Sequence, residues 1–348
     1  MSPAGTPPYR LASPWAFFAA VLTWSWLFWG LSITVGHGVT TGLGTAFAFL
    51  GLLGPMIGGI AFTHLTRDRD GRREYWSRLL DPRRIPAGWL AVALLLPPAL
   101  MLLAALLDVL TGGSLTPFRD TLAPFLARPL TLVPFALNVF FIGPFPEEFG
   151  WRGYALDRLQ ERWGALRSSL VLGVIWGAWH LPLFFLQGTY QYEQGAWSLW
   201  FWTFMVGILP LTVVFTWVFN NTRRSTLAVV LLHFMVVVSA DFLNATSGTN
   251  VLSTVLWIAL ATGVCIVWGP ATLAAPPKGR GPRSPPRPRQ CLSRCLPRAS
   301  ASLTTRGPTS GVYRRRGRAS GVRRSPAPPD PVVPPTRRSP CVPAPSVP

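Results

Sequence analysis

The sequence predicts an all-α polytopic membrane protein of about eight transmembrane helices, and three observations carry that prediction. Of 348 residues, 49% are hydrophobic and only 13% charged, with 16 Trp and 21 Phe. Such a composition suits a chain whose helices face lipid rather than a water-soluble domain. Apolar runs long enough to cross a bilayer recur through residue 273, and the arginines between them fall in alternate loops.

A hydrocarbon core of roughly 30 Å needs about 20 apolar helical residues. Runs of that kind lie near 14–36, 43–64, 86–110, 130–148, 168–187, 197–219, 226–243 and 251–273. Pro55, Pro97, Pro98, Pro134 and Pro210 interrupt several of them. Prolines are tolerated there because neighbouring helices satisfy the freed backbone groups. Asp108 stands close to the end of the third run, and His37 and His64 at the ends of others, so all three read as interfacial. The chain divides into 1–129 (the first three spans), 130–273 (the membrane core) and 274–348 (a Pro/Arg-rich tail).

The net charge of +19 suggests a nucleic-acid binder until it is partitioned. Residues 1–275 carry +4, while 276–348 carry +15 and 18 of the 36 prolines. A simple globular enzyme is excluded, and nucleic acid is not an expected partner. The tail has no apolar periodicity and cannot bury enough surface to fold alone. It reads as a disordered end, as a polybasic arm on anionic lipid or nucleic acid, or as a frame-shifted terminus, since Arg used almost to the exclusion of Lys is what GC-rich DNA yields out of frame. Cys265, Cys291, Cys295 and Cys341 form no CxxC pair, so neither a disulfide framework nor a cysteine metal site is supported. No cleavable signal peptide is expected, because the first apolar run is too long for one.

Orientation follows from the arginines. Segments 67–84, 152–167 and 220–225 carry seven, four and two; with Arg10, one side holds 14, and the opposite loops hold only Arg119 and Arg128. The expectation is a multi-pass cell-membrane protein with both termini in the cytoplasm and lipid as its surroundings.

Chemistry concentrates in Pro144-Phe-Pro-Glu147-Glu148-Phe-Gly-Trp-Arg152. Two adjacent carboxylates at the end of an apolar run are costly near lipid and mark a function. Glu148 and Arg152 are i,i+4 and share a helix face. Glu147 lies about 100° away, free to act as a general base; the bland alternative is an interfacial cap. His180 in WGAWHLPLFF and His233 in LAVVLLHFMVVV add two buried imidazoles on two further spans. Two histidines and a carboxylate on three spans could bind a metal, or activate a water and hold an oxyanion. A small transporter would also bury such groups, but the internal repeats it predicts are absent from the sequence.

EExxxR at 147–152, an aromatic-xxx-His at Trp176–His180 and a third motif opening on His233 resemble the CAAX-protease and bacteriocin-processing (CPBP) family of intramembrane endopeptidases. That family includes type II CAAX prenyl endopeptidases and many bacterial Abi proteins. The resemblance covers about residues 130–240. It implies an eight-helix fold with an intramembrane cavity facing the cytoplasm, and hydrolysis of a peptide bond near the cytoplasmic face of the membrane. Glu147 would be the water-activating base assisted by His180, Glu148 and Arg152 the supporting pair, and His233 the group that polarises the carbonyl or holds the oxyanion. The family is often called metalloprotease; a divalent metal such as zinc would then sit on Glu147, His180 and His233. The partner would be a peptide or membrane-protein substrate. Two positions depart from the pattern. Trp176 replaces the usual Phe, and Val237 replaces the Asn or Asp usual four residues after the third-motif His. The second departure points to an alternative, a catalytically weak or inactive membrane scaffold or bacteriocin-immunity protein.

Overall fold

The computed structural model describes residues 13–114, 116–243 and 246–275. Every regular element among them is helical. Seven helical segments are long and apolar enough to cross a membrane, and an eighth span results if one bent pair is counted as a single crossing. The protein is a multi-pass membrane protein. The expectations for the tail 276–348 and for the two termini fall outside the described residues.

The first half builds a frame. Helix α1 (Pro14–Thr34) is the first span. The run expected as one span near 43–64 is broken at Leu53 into α2 (Gly42–Leu52) and α3 (Gly54–Thr66), bent by 40°. Pro55 in the first turn of α3 explains the break, because it has no N–H to continue the ladder but suits a helix start. Since lipid offers no hydrophobic drive between helices, α1 is tied to α2 by polar bonds to backbone carbonyls. Ser25 donates to Gly51 O at 2.7 Å, Ser32 to Gly44 O at 2.8 Å and Trp29 Nε1 to Ala48 O at 3.0 Å. Helix α4 (Arg69–Leu80) is short and polar, and α5 (Ala87–Leu110) is the next span. Asp108 at its end is buried, at odds with an interfacial position. It accepts from Thr246 Oγ1 at 2.5 Å and Thr249 Oγ1 at 3.0 Å, so the carboxylate staples α5 to the start of the last span.

The second half carries the chemistry. After α6 (Thr116–Ala127), one 32-residue crossing runs from Pro129 to Gln160. It comprises α7 (Leu132–Ile142), α8 (Pro144–Gly150), a turn of π-helix at Trp151–Ala155 and α9 (Leu156–Gln160). Helices α7 and α8 meet at Gly143, and Pro144 opens α8. The sidedness count that includes all four arginines of segment 152–167 is corrected here. The helix continues through Arg152, which is fully buried, so this arginine drops out of the sidedness count. Thirteen arginines against two remain, and the asymmetry stands. Helix α8 is drawn in against α3 by two glycines. A Cβ on Gly59 would lie 2.4 Å from Phe149 O, and one on Gly150 would lie 2.5 Å from Pro55 O, so only glycine permits the backbones to touch.

The remaining elements are α10 (Ala165–His180), the short α11 (Tyr190–Gln194), α12 (Leu199–Asn221), α13 (Thr226–Leu243) and α14 (Ser247–Trp268). Helix α10 is continued by a 3₁₀ stretch through Phe185, since Pro182 cannot extend the α ladder. Its Trp179 packs against Trp29, ring centres 4.7 Å apart and planes tilted by 57°, and donates to Ser25 Oγ at 2.8 Å, which locks the frame to the second half.

The loops that join these helices make two unlike ends. The arginine-rich end holds α4, the α9–α10 turn and the α12–α13 turn. The arginine-poor end holds residues 35–41, α6, α11 and the α13–α14 connection.

Candidate active site

The ends of α7, α8, α10 and α13 converge on one cavity of about 740 Å³. Glu147, Trp176, His180 and His233 all line it, and all four are buried. The two adjacent glutamates take different positions. Glu148 is fully enclosed and accepts from Arg152 Nη1 at 2.9 Å through Oε1 and 3.2 Å through Oε2. Its Oε1 also lies 3.0 Å from His233 Nδ1. Glu147 faces the cavity instead, its Oε2 accepting a hydrogen bond from Trp176 Nε1 at 2.7 Å.

Arg152 sits beneath this floor. Its guanidinium carbon lies 4.8 Å from the Trp176 ring centre and 4.7 Å from that of Phe215. Its Nε and Nη2 have no hydrogen-bond partner among the described residues. The two aromatic faces therefore supplement Glu148 in stabilising the buried cation.

The hydrogen bonds set the chemistry of each imidazole. His180 Nδ1 donates to Trp176 O at 2.8 Å, so in the neutral ring Nε2 is an acceptor. His233 Nδ1 is engaged by the Glu148 carboxylate, which likewise leaves Nε2 for the cavity. In its imidazolium form His233 presents an N–H there. Trp176 is the hub: its ring lies 5.6 Å from His180 and 5.3 Å from His233 between centres, while its N–H holds Glu147. The sequence marks this residue as an aromatic wall. The structure adds that an indole supplies a donor that the usual Phe lacks.

The three-residue metal set is a different matter. Among the described residues no group of three His, Cys, Asp or Glu side chains stands close enough to hold an ion. Glu147, His180 and His233 line one cavity without forming a ligand cluster. The donor set does not fit the zinc expectation, and no step below is routed through a metal.

Val237 lines the cavity one turn above His233 and offers it only methyl groups. Asp241, the next carboxylate along α13, lines the same cavity one turn further on, and no described residue pairs with it. Two amides that the motifs do not pick out also reach the wall, Asn138 on α7 and Asn250 on α14. Asn250 Nδ2 is spent on Thr203 Oγ1 at 2.5 Å. Asn138 is solvent-accessible in an otherwise apolar helix, and an amide inside an apolar run is the signal that could have found it.

The stretch that holds these residues is similar to known proteins. Residues 129–239, the stretch holding all three motifs, match the family model described as type II CAAX prenyl endopeptidase Rce1-like. CAAX prenyl protease 2 of Methanococcus maripaludis is 27% identical over 256 residues, covering 73% of this chain and 93% of that protein. By its helical membrane fold, its motifs and this match, the chain is similar across residues 129–239 to the Rce1-like type II CAAX prenyl endopeptidase family.

Proposed function

We propose that this protein hydrolyses a peptide bond inside the membrane, with Glu147 as the base that activates a water. The observation that carries the reading is the division of the carboxylate pair: Glu148 is consumed by Arg152 and His233, whereas Glu147 is held by one indole N–H and faces the cavity. Glu147 takes a proton from a water that His180 Nε2 orients as an acceptor. The resulting hydroxide adds to the scissile carbonyl carbon. The tetrahedral oxyanion is met by the Nε2–H of the His233 imidazolium, whose other nitrogen is anchored on Glu148. Glu147 then returns its proton to the leaving amine as the C–N bond breaks, and the base is regenerated. The family supports protease activity; these residue roles are our assignment.

The cavity wall between these groups is largely apolar, with Trp200, Phe204, Val236 and Val237 among its residues. It suits a peptide with apolar flanks. The archaeal relative is named as a CAAX prenyl protease, and a lipid-modified peptide is one such substrate.

The test is peptide cleavage by the purified protein and by Glu147→Ala and His180→Ala. Loss in both variants supports the assignment, and cleavage at the wild-type rate by both defeats it. One observation favours a second reading, that of a membrane scaffold or immunity protein. Val237 leaves the wall beside His233 without the amide or carboxylate usual there, and losing one oxyanion donor can cost about 100- to 1000-fold. An in vivo phenotype retained by Glu147→Ala would favour binding over catalysis.

A further inference from the structure

Five carboxylates lie within the crossings of the described residues. Four of them have a protein donor: Asp108 has Thr246, Glu147 has Trp176, Glu148 has Arg152 and Asp157 has Arg78. The fifth, Asp241 on α13, has none among the described residues. It lines the cavity and is exposed. No Lys or Arg lines that cavity. Of the two arginines at the arginine-poor end, Arg119 pairs with Asp120 at 3.2 Å and Arg128 forms no ion pair with a described residue. A carboxylate left without a partner at membrane depth is costly and calls for one.

The wall that shares the cavity with Asp241 is aromatic. Ring centres step from His180 to Phe204 at 5.1 Å, from Phe204 to Trp200 at 5.0 Å and from Trp200 to Tyr190 at 5.2 Å, and all four rings line the cavity. The wall therefore runs without a break from the catalytic imidazole to α11. Burial first and the Asp241 charge second push the Tyr190 hydroxyl above its ordinary value, which places that charge within reach of the wall.

The molecule already shows what a carboxylate beside aromatic faces holds. Arg152 is bound by Glu148 and lies 4.8 Å from the Trp176 ring centre and 4.7 Å from that of Phe215. Asp241 has the same kinds of partner around it and no cation among them. Carboxylate and ring faces together favour a guanidinium or ammonium group. Asp241 follows His233 by eight residues, about 12 Å along α13. We propose that Asp241, Tyr190 and Trp200 form a subsite for a basic side chain of the substrate, about three or four extended residues from the scissile bond. The substrate class is then an apolar polypeptide with one Lys or Arg at that spacing. This rests on the endopeptidase reading above.

The experiment uses the full-length purified protein and Ala/Leu peptides that carry a single Arg, Leu or Glu at each position in turn, with cleavage sites mapped by mass spectrometry. At the matching spacing the wild type should cleave the Arg peptide with kcat/KM about 10- to 100-fold above that of the Leu peptide, and the Glu peptide least well. Asp241→Asn should bring the Arg-to-Leu ratio close to one, and Asp241→Arg should favour Glu over Arg. A gain for the Glu peptide requires an intact cavity, so misfolding cannot imitate it. A wild-type ratio near one at every position, or a ratio kept by Asp241→Asn, overturns the subsite and leaves the endopeptidase reading intact. If the wild type cleaves no peptide, the endopeptidase reading fails. The affinities of the same labelled peptides for Glu147→Gln protein, read by fluorescence anisotropy, then decide the subsite: tighter binding of the Arg peptide supports it and equal binding overturns it.

Discussion

The two ends of this molecule treat charge in opposite ways. At the arginine-rich end charges are spent on one another: Asp157 meets Arg78 and Arg224, and Glu74 meets Arg78 at 3.0 Å and Arg84 at 2.5 Å. At the cavity end ionisable groups are few and left partly unengaged, with Glu147 holding one indole bond and two imidazoles each keeping a free Nε2. Buried charge serves structure when every lone pair is satisfied and serves chemistry when one is kept in reserve. Arg152 and Glu148 form the boundary between the two regimes, paired with each other on one side and steering His233 on the other.

The largest expected effect concerns the arginine-rich end. Asp157→Ala leaves the arginines around it without their buried anion and should cost about 3–5 kcal/mol of stability. Thermal unfolding in detergent should show a large drop in Tm, and an unchanged Tm would mean that these buried ion pairs contribute nothing to stability.

At the cavity end, Val237→Asn restores a polar group beside His233 and should raise kcat by about 10- to 100-fold. No gain would indicate that the oxyanion is held elsewhere, with Asn138 the next group to examine. A smaller loss, about tenfold, is expected for Trp176→Phe, which keeps the aromatic wall but removes the hydrogen bond to Glu147. The loss should fall on kcat with KM little changed; a purely structural Trp would lower Tm instead.

The smallest effect is a pH dependence at the arginine-rich end. Burial works to raise the Glu74 carboxyl pKa, but Arg78 and Arg84 outweigh it and hold the group below the ordinary carboxylate range. Its stabilisation is therefore complete above the unfolded carboxylate pKa and is lost as pH falls through the lower folded value. Glu74→Gln should flatten the acid limb of a Tm–pH profile slightly, the effect being muted because the side chain is 42% exposed.

Much of this was legible in the sequence because lipid imposes a simple length rule. The eight crossings are read from runs of about 20 apolar residues, and the Glu148–Arg152 pairing from a four-residue spacing. What stayed hidden depends on contacts between distant segments. The break at Leu53 is local, yet apolar composition masks it. The burial of Arg152 requires α3 to lie against α8 at Gly59 and Gly150. The bond from Trp176 to Glu147 spans 29 positions, and a hydropathy profile carries no trace of it.

The central claim is that two neighbouring glutamates divide the work, Glu147 as the base and Glu148 as the anchor of Arg152 and His233. Glu147→Gln and Glu148→Gln, each assayed for both peptide cleavage and Tm, test it most directly. The account predicts that Glu147→Gln abolishes cleavage at near wild-type Tm, while Glu148→Gln lowers Tm markedly because it leaves Arg152 buried without its anion. A Glu147→Gln variant that cleaves normally, or a Glu148→Gln variant that keeps its Tm, would contradict it.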